Sequence, residues 1–257
     1  MDWAQLFLFE LIVMRMTGFI LFNPLLGRSN VPGLVKAGFI LVLSVFVYGG
    51  AGGVTVTVPA GVLAFGLHLL LELAVGMVLG LVMRIFFMVV QFGGEIIDAQ
   101  MGLTMAQIYD ASSQINMSIS GSLLNILLVL DFFAENGHYT LLRLLLSSGE
   151  LLPFGQVTLG TAVANHVVEL FCTCILLAVK LALPILAAEL LGELGMGVLM
   201  KAIPQINAFV INIELKVIVG LVLFFVLLIP MNEFLLSVEA DMLTALGRTL
   251  QVIGAGG

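Results

Sequence analysis

The chain between Gln91 and Ser118 reads QFGGEIIDAQMGLTMAQIYDASSQINMS, the longest polar-leaning stretch in an otherwise very apolar protein. Gln91, Glu95, Asp98 and Gly102 recur at helical spacing, which predicts an amphipathic helix in the first half of the stretch. After Gly102 the pattern loosens into small and polar residues. Irregular backbone within a membrane is tolerated only where protein covers it or where it lines a watery cavity. We therefore expect this stretch to line or plug a passage.

Composition excludes a water-soluble globule. The chain has 257 residues, of which 61% are hydrophobic and only 10% charged, and its mean hydropathy is +1.22. A soluble domain has about 25% charged residues. The net charge of −7 argues against nucleic-acid binding and against a polybasic surface for lipid headgroups. We predict an all-α integral membrane protein.

Six long apolar segments are predicted to form the helices of this protein. They are residues 1–22, Leu34–Tyr48, Ala60–Val90, Ile119–Phe133, Thr161–Leu191 and Ala208–Phe234. Tyr139–Leu146 is a short continuation, and Pro184 and Pro230 are expected to bend their helices, because proline removes a hydrogen bond and clashes with the preceding turn. The distribution of Lys and Arg favours both termini outside.

Charged residues occur inside these apolar runs, where an exposed charge is expensive. One interpretation is a proton path and the other is packing against other subunits. The second is favoured because the charges are scattered over several helices: Glu72, Arg84, Glu169, Lys180, Glu214 and Lys216. Glu95 and Asp98 could serve acid–base work, but the solvated face of an amphipathic helix is the favoured explanation for them.

Catalytic and metal-binding motifs are absent from the sequence. There is no Walker-type phosphate loop, HExxH or GxSxG. Cys172 and Cys174 are interpreted as small packing residues. His68, His138 and His166 are scattered and do not form a set of metal ligands. We predict neither an enzyme nor a cofactor.

Two further features have both a structural and a functional interpretation. Met101 and Met105 are either gap-filling core residues or an apolar constriction that seals a pore. The run Pro204-Gln205-Ile206-Asn207 introduces the last long apolar segment, and Asn207 is suited to cap that helix. A well-made hairpin turn explains this second run without any function.

Three stretches together resemble the FliR family of flagellar biosynthetic proteins. They are RMTGFILFNPLLGRSNVP (15–32), GGEIIDAQMGLTMAQIYD (93–110) and PQINAF (204–209), the last with KLALPILAAELLGELGMGVLMK before it. They occur in the same order as in that family, and the resemblance covers most of the chain.

The resemblance implies a structural part in the type III export gate, at the flagellar basal body in the bacterial inner membrane. FliR-like proteins join FliP and FliQ, with FlhB associated, in a helical assembly that passes unfolded flagellar proteins. Residues 1–150 are then expected to mimic FliP, and residues 151–257 a FliQ-like helical hairpin. The family's helices sit in an assembly largely lifted out of the bilayer, so six simple spans need not describe the final state.

The same resemblance assigns site residues. The central loop would act as a pore plug through Met101, Gly102, Met105, Gln107, Tyr109, Asp110, Ser112 and Ser113. The hairpin turn would support assembly through Pro204, Gln205, Asn207 and Phe209.

Two alternatives remain open at this point. One is the homologous subunit of a virulence injectisome, with the same mechanism and different cargo. The other belongs to a different class, a proton-coupled secondary transporter with Glu72, Glu95 and Asp98 as its proton site. A transporter of that kind predicts inverted repeats, and the two halves of this sequence differ in segment length and charge.

Overall fold

The computed structural model describes residues 3–28, 31–51, 54, 56–103, 118–157, 159–202 and 208–255, and of residues 208–213 the backbone alone. Within these ranges the chain forms helices and no strand, which confirms the all-α prediction. The helices are α1 (Trp3–Phe22), α2 (Gly33–Gly50), α3 (Val62–Met101), α4 (Ile119–Ala134), α5 (Gly137–Leu146), α6 (Ser148–Leu151), α7 (Thr161–Ala202), α8 (Ala208–Val226) and α9 (Leu228–Ala255).

The chain divides into two compact units that interleave along the sequence. The first comprises Met1–Phe86, Glu135–Cys172 and Ala240–Gly257, and the second comprises Phe87–Ala134 and Thr173–Glu239. Each unit therefore draws on both halves of the sequence. The predicted division at residue 150 separates a FliP-like part from a FliQ-like part, and it stays a prediction.

In the first unit, glycines allow α1 and α3 to pack with their backbones in contact. A Cβ atom on Gly18 would overlap the carbonyl oxygen of Leu73, and one on Gly80 would lie 3.0 Å from the carbonyl oxygen of Phe19. Gly76 meets the backbone of Arg15 in the same way. Gly76 and Gly80 form a small-xxx-small pattern, which allows this close approach of the two helices.

Three helix boundaries differ from the prediction, and one of them is the end of α7, which lies at Ala202 and not at Leu191. The apolar run to Val90 and the amphipathic segment from Gln91 form one continuous helix of 40 residues, α3. The run predicted over Ala208–Phe234 instead ends at Val226, and the tail forms α9.

The break between α8 and α9 has a local cause. Pro230 is the third residue of α9, where it has no N–H to donate to the preceding turn. The backbone nitrogen of Leu227 still donates to Leu223 (2.8 Å), and that of Met231 donates to Leu227 (3.0 Å). The two helices bend by 61° at this break, so the bend predicted for Pro230 is confirmed.

Several helices are long and apolar enough to cross a membrane. Among the described residues these are α1, α2, α3 and α7, and the number rises from 4 to 6 if the bent pairs α4–α5 and α8–α9 each count as one span. Large apolar side chains such as Leu34, Phe46 and Val62 are exposed on them. This is the pattern of a protein whose outer surface faces lipid or other subunits.

Candidate functional site at the stem of the central loop

The carboxyl end of α3 is where the central loop begins. Gly102 has a φ of 77°, a left-handed conformation that glycine adopts without strain and that commonly ends helices. Its nitrogen donates to the carbonyl oxygen of Ala99 (3.3 Å). Met101, just before it, is only 1% exposed. The helix therefore ends with its last side chain turned into the protein.

The amino end of α4, where the loop finishes, is capped by two side chains. The Oγ atom of Ser118 accepts from the nitrogen of Gly121 (3.1 Å), the usual pattern for an N-cap serine. The carboxylate of Asp98, on α3, accepts from the nitrogens of Ile119 (2.6 Å) and Ser120 (3.3 Å) and from the Ser120 hydroxyl. All three free N–H groups of the first turn are thus satisfied, and an anion lies at the positive end of the helix dipole.

Glycines allow α3 and α4 to approach each other closely near these two helix ends. A Cβ atom on Gly94 would overlap the backbone of Gly121. A Cβ atom on Gly93 would lie 2.8 Å from Leu181 Cδ2 on α7. We call Gly93–Met101 of α3 and Ser118–Gly121 of α4 the loop stem. It fixes both ends of the segment 104–117, which lies outside the described residues.

The stem corrects one sequence-based expectation. Glu95 is exposed, as a solvated helix face requires, but Asp98 is 0% exposed and acts as a helix cap. Sequence reasoning missed this role. The serines at 118 and 120 before an apolar run are a usual helix-start signal, yet nothing in that signal identifies an acid 20 residues upstream as the second cap.

A second polar cluster lies in the core of the first unit and holds its parts together. The Nε atom of Arg15 donates to Glu72 Oε2 (2.7 Å), and its terminal nitrogens donate to the carbonyl oxygens of Ser148 (3.2 Å) and Leu152 (3.1 Å). The guanidinium lies 4.1 Å from the centre of the Phe154 ring. Both charged side chains are fully buried, and a buried pair needs such extra hydrogen bonds to be tolerated.

The charges singled out in the apolar runs fall into different environments. Glu72 is bound inside the chain, by Arg15 and by the nitrogen of Gly155 (2.9 Å). Lys216 is partly buried and forms an ion pair with Glu193. The remaining four are exposed: Arg84, Glu169, Lys180 and Glu214.

Of the predicted plug residues, the structure describes Met101, which is buried, and Gly102, which is partly buried. Met105, Gln107, Tyr109, Asp110, Ser112 and Ser113 lie outside the described residues. So do Pro204, Gln205 and Asn207 of the hairpin turn, and Phe209 is described only as part of the α8 backbone.

The groups at the stem are suited to anchoring. The described part of the chain holds no cluster of three or more His, Cys, Asp or Glu side chains suited to a metal ion. Asp98 is engaged by backbone and hydroxyl donors, and Met101 is packed. The stem holds the carboxyl end of α3 next to the amino end of α4, where the central loop begins and ends.

An all-helical chain with several helices long and apolar enough to cross a membrane has the architecture of an integral membrane protein. Its sequence matches the family described as bacterial export proteins, family 1, over residues 6–241. The chain belongs to this family, which includes the FliR proteins. It is thus a component of a type III export gate.

Relatives match over most of the chain. A flagellar biosynthetic protein FliR of Escherichia coli is 29% identical over 98% of this chain and 97% of that protein. The FliR protein of Bacillus subtilis is 26% identical over 90% and 92%. Yop proteins translocation protein T of Yersinia pestis is 28% identical over 81% of this chain and 80% of that protein.

Proposed function

We propose that this chain is a structural subunit of the flagellar export gate, in which it joins FliP and FliQ around a pore for unfolded flagellar proteins. Its central loop forms part of the plug of that pore. The proposal rests on membership in the family and on the loop stem. Nothing in this role requires catalysis or a cofactor.

The observation that carries the plug is the closure of the loop at both roots. A segment that blocks a pore and yields to a polypeptide has to stay attached while its middle moves. Asp98 ties the amino end of α4 to α3 (2.6 Å to the Ile119 nitrogen), and Met101 is buried at the other root. The plug itself would consist of Met101, Gly102, Met105, Gln107, Tyr109, Asp110, Ser112 and Ser113.

The carboxyl half supports the likeness to FliQ. Lys216 of α8 pairs with Glu193 of α7, and Gly220, one turn further along α8, faces Glu189, one turn earlier on α7. Residue numbers therefore increase in opposite directions along α7 and α8, as in an antiparallel hairpin. We assign residues 151–257 as the FliQ-like hairpin and residues 1–150 as the FliP-like part, with Pro204, Gln205, Asn207 and Phe209 at the turn.

Exposed charges favour protein neighbours. Arg84 and Lys180 lie on helices that are apolar enough to span a membrane, yet both are exposed. Contact with lipid would be expensive for them, and the same holds for Glu169 and Glu214. We therefore propose that these residues, together with Lys216, pack against FliP, FliQ or FlhB in the inner membrane at the flagellar basal body. Glu72 is already used by Arg15.

Deletion of residues 105–113 tests the plug. The deletion spares Asp98, Met101 and Ser118, so the stem remains and the gate is expected to assemble. Membranes that contain the assembled gate should then leak ions and small solutes. A replacement of the same nine positions by Gly and Ser controls for loop length, because it restores the span without the side chains and should leak as well. Unchanged leakage with normal export would remove the plug hypothesis.

Partner recovery tests the gate itself. The tagged chain, extracted from its native membrane in mild detergent, should bring down FliP-like and FliQ-like proteins. Recovery as a stable monomer would contradict the gate and favour the transporter. In the structure, however, Glu72 and Asp98 have other partners, which weakens the proposed proton site.

A second candidate is the corresponding subunit of a virulence injectisome. The similarity to Yop proteins translocation protein T is the observation that favours it. Complementation separates the two candidates: the chain should restore motility to a strain that lacks its own FliR. Rescue of injectisome secretion without motility would reverse the assignment.

A further inference from the structure

A buried carboxylate lies behind the root of the central loop. Glu189 of α7 is 2% exposed, and its Oε1 atom has no hydrogen-bond partner among the described residues. An unsatisfied buried acceptor destabilises the conformation that buries it, and more so when the acceptor is charged. Glu189 therefore destabilises the conformation in which its Oε1 atom is buried.

Met101 lies on the same notch as this carboxylate. A Cβ atom built on Gly220 of α8 would lie 2.5 Å from the Met101 sulfur and 3.0 Å from Glu189 Oε1. The thioether and the carboxylate oxygen therefore both line the notch that the missing side chain of Gly220 leaves. Met101 is the last residue of α3, so a residue that lines this notch is also the residue from which the loop departs.

A cation lies one helical turn from the notch. Lys216 of α8 pairs with Glu193 of α7, and Glu193 follows Glu189 by one turn. Lys216 and Glu193 are the charged groups that act on Glu189, and α3 places the apolar Met101 at the notch. The flexible stem of a lysine allows its ammonium group to move between neighbouring acceptors.

We propose that Met101, Gly220 and Glu189 form a latch at the root of the plug, and that release of the latch transfers Lys216 from Glu193 to Glu189. The inference rests on the proposed plug function. With the plug seated, Met101 packs beside Glu189 Oε1, which lacks a hydrogen-bond partner among the described residues. When the root of the loop withdraws, Glu189 gains Lys216 and water. The unsatisfied carboxylate raises the free energy of the closed gate, and so it reduces the free-energy difference between the closed and the open gate.

Two charge-neutralising variants test the latch because their effects have opposite signs. Glu189→Gln removes the charge that destabilises the closed state, so the open probability of the assembled gate should fall. Glu193→Gln frees Lys216 for Glu189, so the open probability should rise. We expect about tenfold in each direction, which corresponds to about 1.4 kcal/mol. Changes in the same direction, or no change in either variant, would overturn the latch.

The role of Lys216 has its own control. In a Lys216→Met background, Glu193→Gln should no longer raise the open probability, because the loss of Glu193 then frees no cation for Glu189. If the rise persists there, the transfer of Lys216 is wrong.

The methionine at the notch offers a second measurement should Glu189→Gln not assemble. Gly220→Ala would fill the notch and displace Met101, so it should raise the leak. Gly192→Ala on α7 is the matched control, because a Cβ atom there meets nothing within 4 Å. Met101→Ala should also leak, whereas Met101→Leu retains a large apolar side chain and should not. Equal leakage from Gly220→Ala and Gly192→Ala would contradict the latch.

Deletion of residues 105–113 separates failure of the latch from failure of the plug. If the deletion leaks while the glutamate variants change nothing, the latch is wrong and the plug stands. If the deletion does not leak, the plug is wrong and the latch falls with it. All conductances are compared at equal amounts of gate recovered with its partners.

Discussion

The carboxylate of Asp98 and the backbone nitrogen of Ile119 lie 2.6 Å apart, although 21 positions separate them in the chain. A side chain of one helix thus completes the first turn of another. Helix α4 needs this acid because the nitrogens of Ile119 and Ser120 have no acceptor within their own helix. The hydrogen bond that caps the amino end of α4 therefore also ties α4 to α3, and so it links the two ends of the central loop.

Asp98→Ala should loosen the loop stem. Loss of a helix cap costs about 0.5–2 kcal/mol, and here two N–H groups lose their acceptor. We expect faster proteolysis of the central loop and an increased ion leak in the assembled gate. Glu95→Ala, on the exposed side of the same helix, is the control. Equal protease sensitivity in the two variants would argue against a stem held by Asp98.

Gly121→Ala should interfere with packing of the stem. A Cβ atom on Gly121 would overlap the Ser118 Oγ atom and lie 3.3 Å from the carbonyl oxygen of Gln91, and extra atoms in a filled site cost about 1–3 kcal/mol. The yield of complex with partner subunits should therefore drop. Gly66→Ala on α3 adds its methyl group in open space and serves as the comparison. Recovery of both variants at the same yield would show that the stem adapts.

The Arg15–Glu72 pair makes a prediction about non-additivity. Arg15→Met leaves a buried, unpaired carboxylate and should destabilise the protein by about 3–5 kcal/mol. Adding Glu72→Leu should restore much of that loss, because the second change removes the unpaired charge. Thermal unfolding of the complex over the double-mutant cycle measures the coupling. Glu95→Ala, at an exposed position of α3, should have little effect. Additive losses would mean that the two residues act separately.

Asn207→Leu addresses the hairpin turn, which lies outside the described residues. Loss of a capping side chain just before α8 should disturb the turn and reduce complex formation more than the amount of protein in the membrane. Pull-down against partner subunits, normalised to membrane content, is the measurement. Normal assembly would reduce the motif to ordinary turn chemistry.

Helix positions followed closely from the sequence wherever apolar runs end at turn-forming residues. The predicted Leu34–Tyr48 became Gly33–Gly50, and the predicted Ile119–Phe133 became Ile119–Ala134. The boundary at Gln91 was wrong because polarity changes there without any helix breaker. Gly93 and Gly94 usually weaken a helix, but here they face Leu181 and Gly121 and allow close packing.

The functional groups were harder to predict than the helices. Periodicity indicates which residues share a face, but it does not indicate what covers that face, so the burial of Asp98 was not foreseen. The charges of Arg15 and Glu72 indicated protein surroundings, yet a pairing across 57 positions leaves no periodic signal. The notch at Gly220 depends on three helices, and no local pattern reports it.

The length of α3 bears on the lipid that this protein requires. Its 40 residues extend about 60 Å at 1.5 Å per residue, twice the hydrocarbon thickness of about 30 Å. Tilt of transmembrane helices reaches about 40°, which still leaves a vertical extent of about 46 Å at this length. At every tilt up to this value, part of the helix must therefore emerge from the hydrocarbon region. Hydrophobic matching of this rod to acyl chains is unattainable, and we expect gate assembly to vary little between short-chain and long-chain phospholipids.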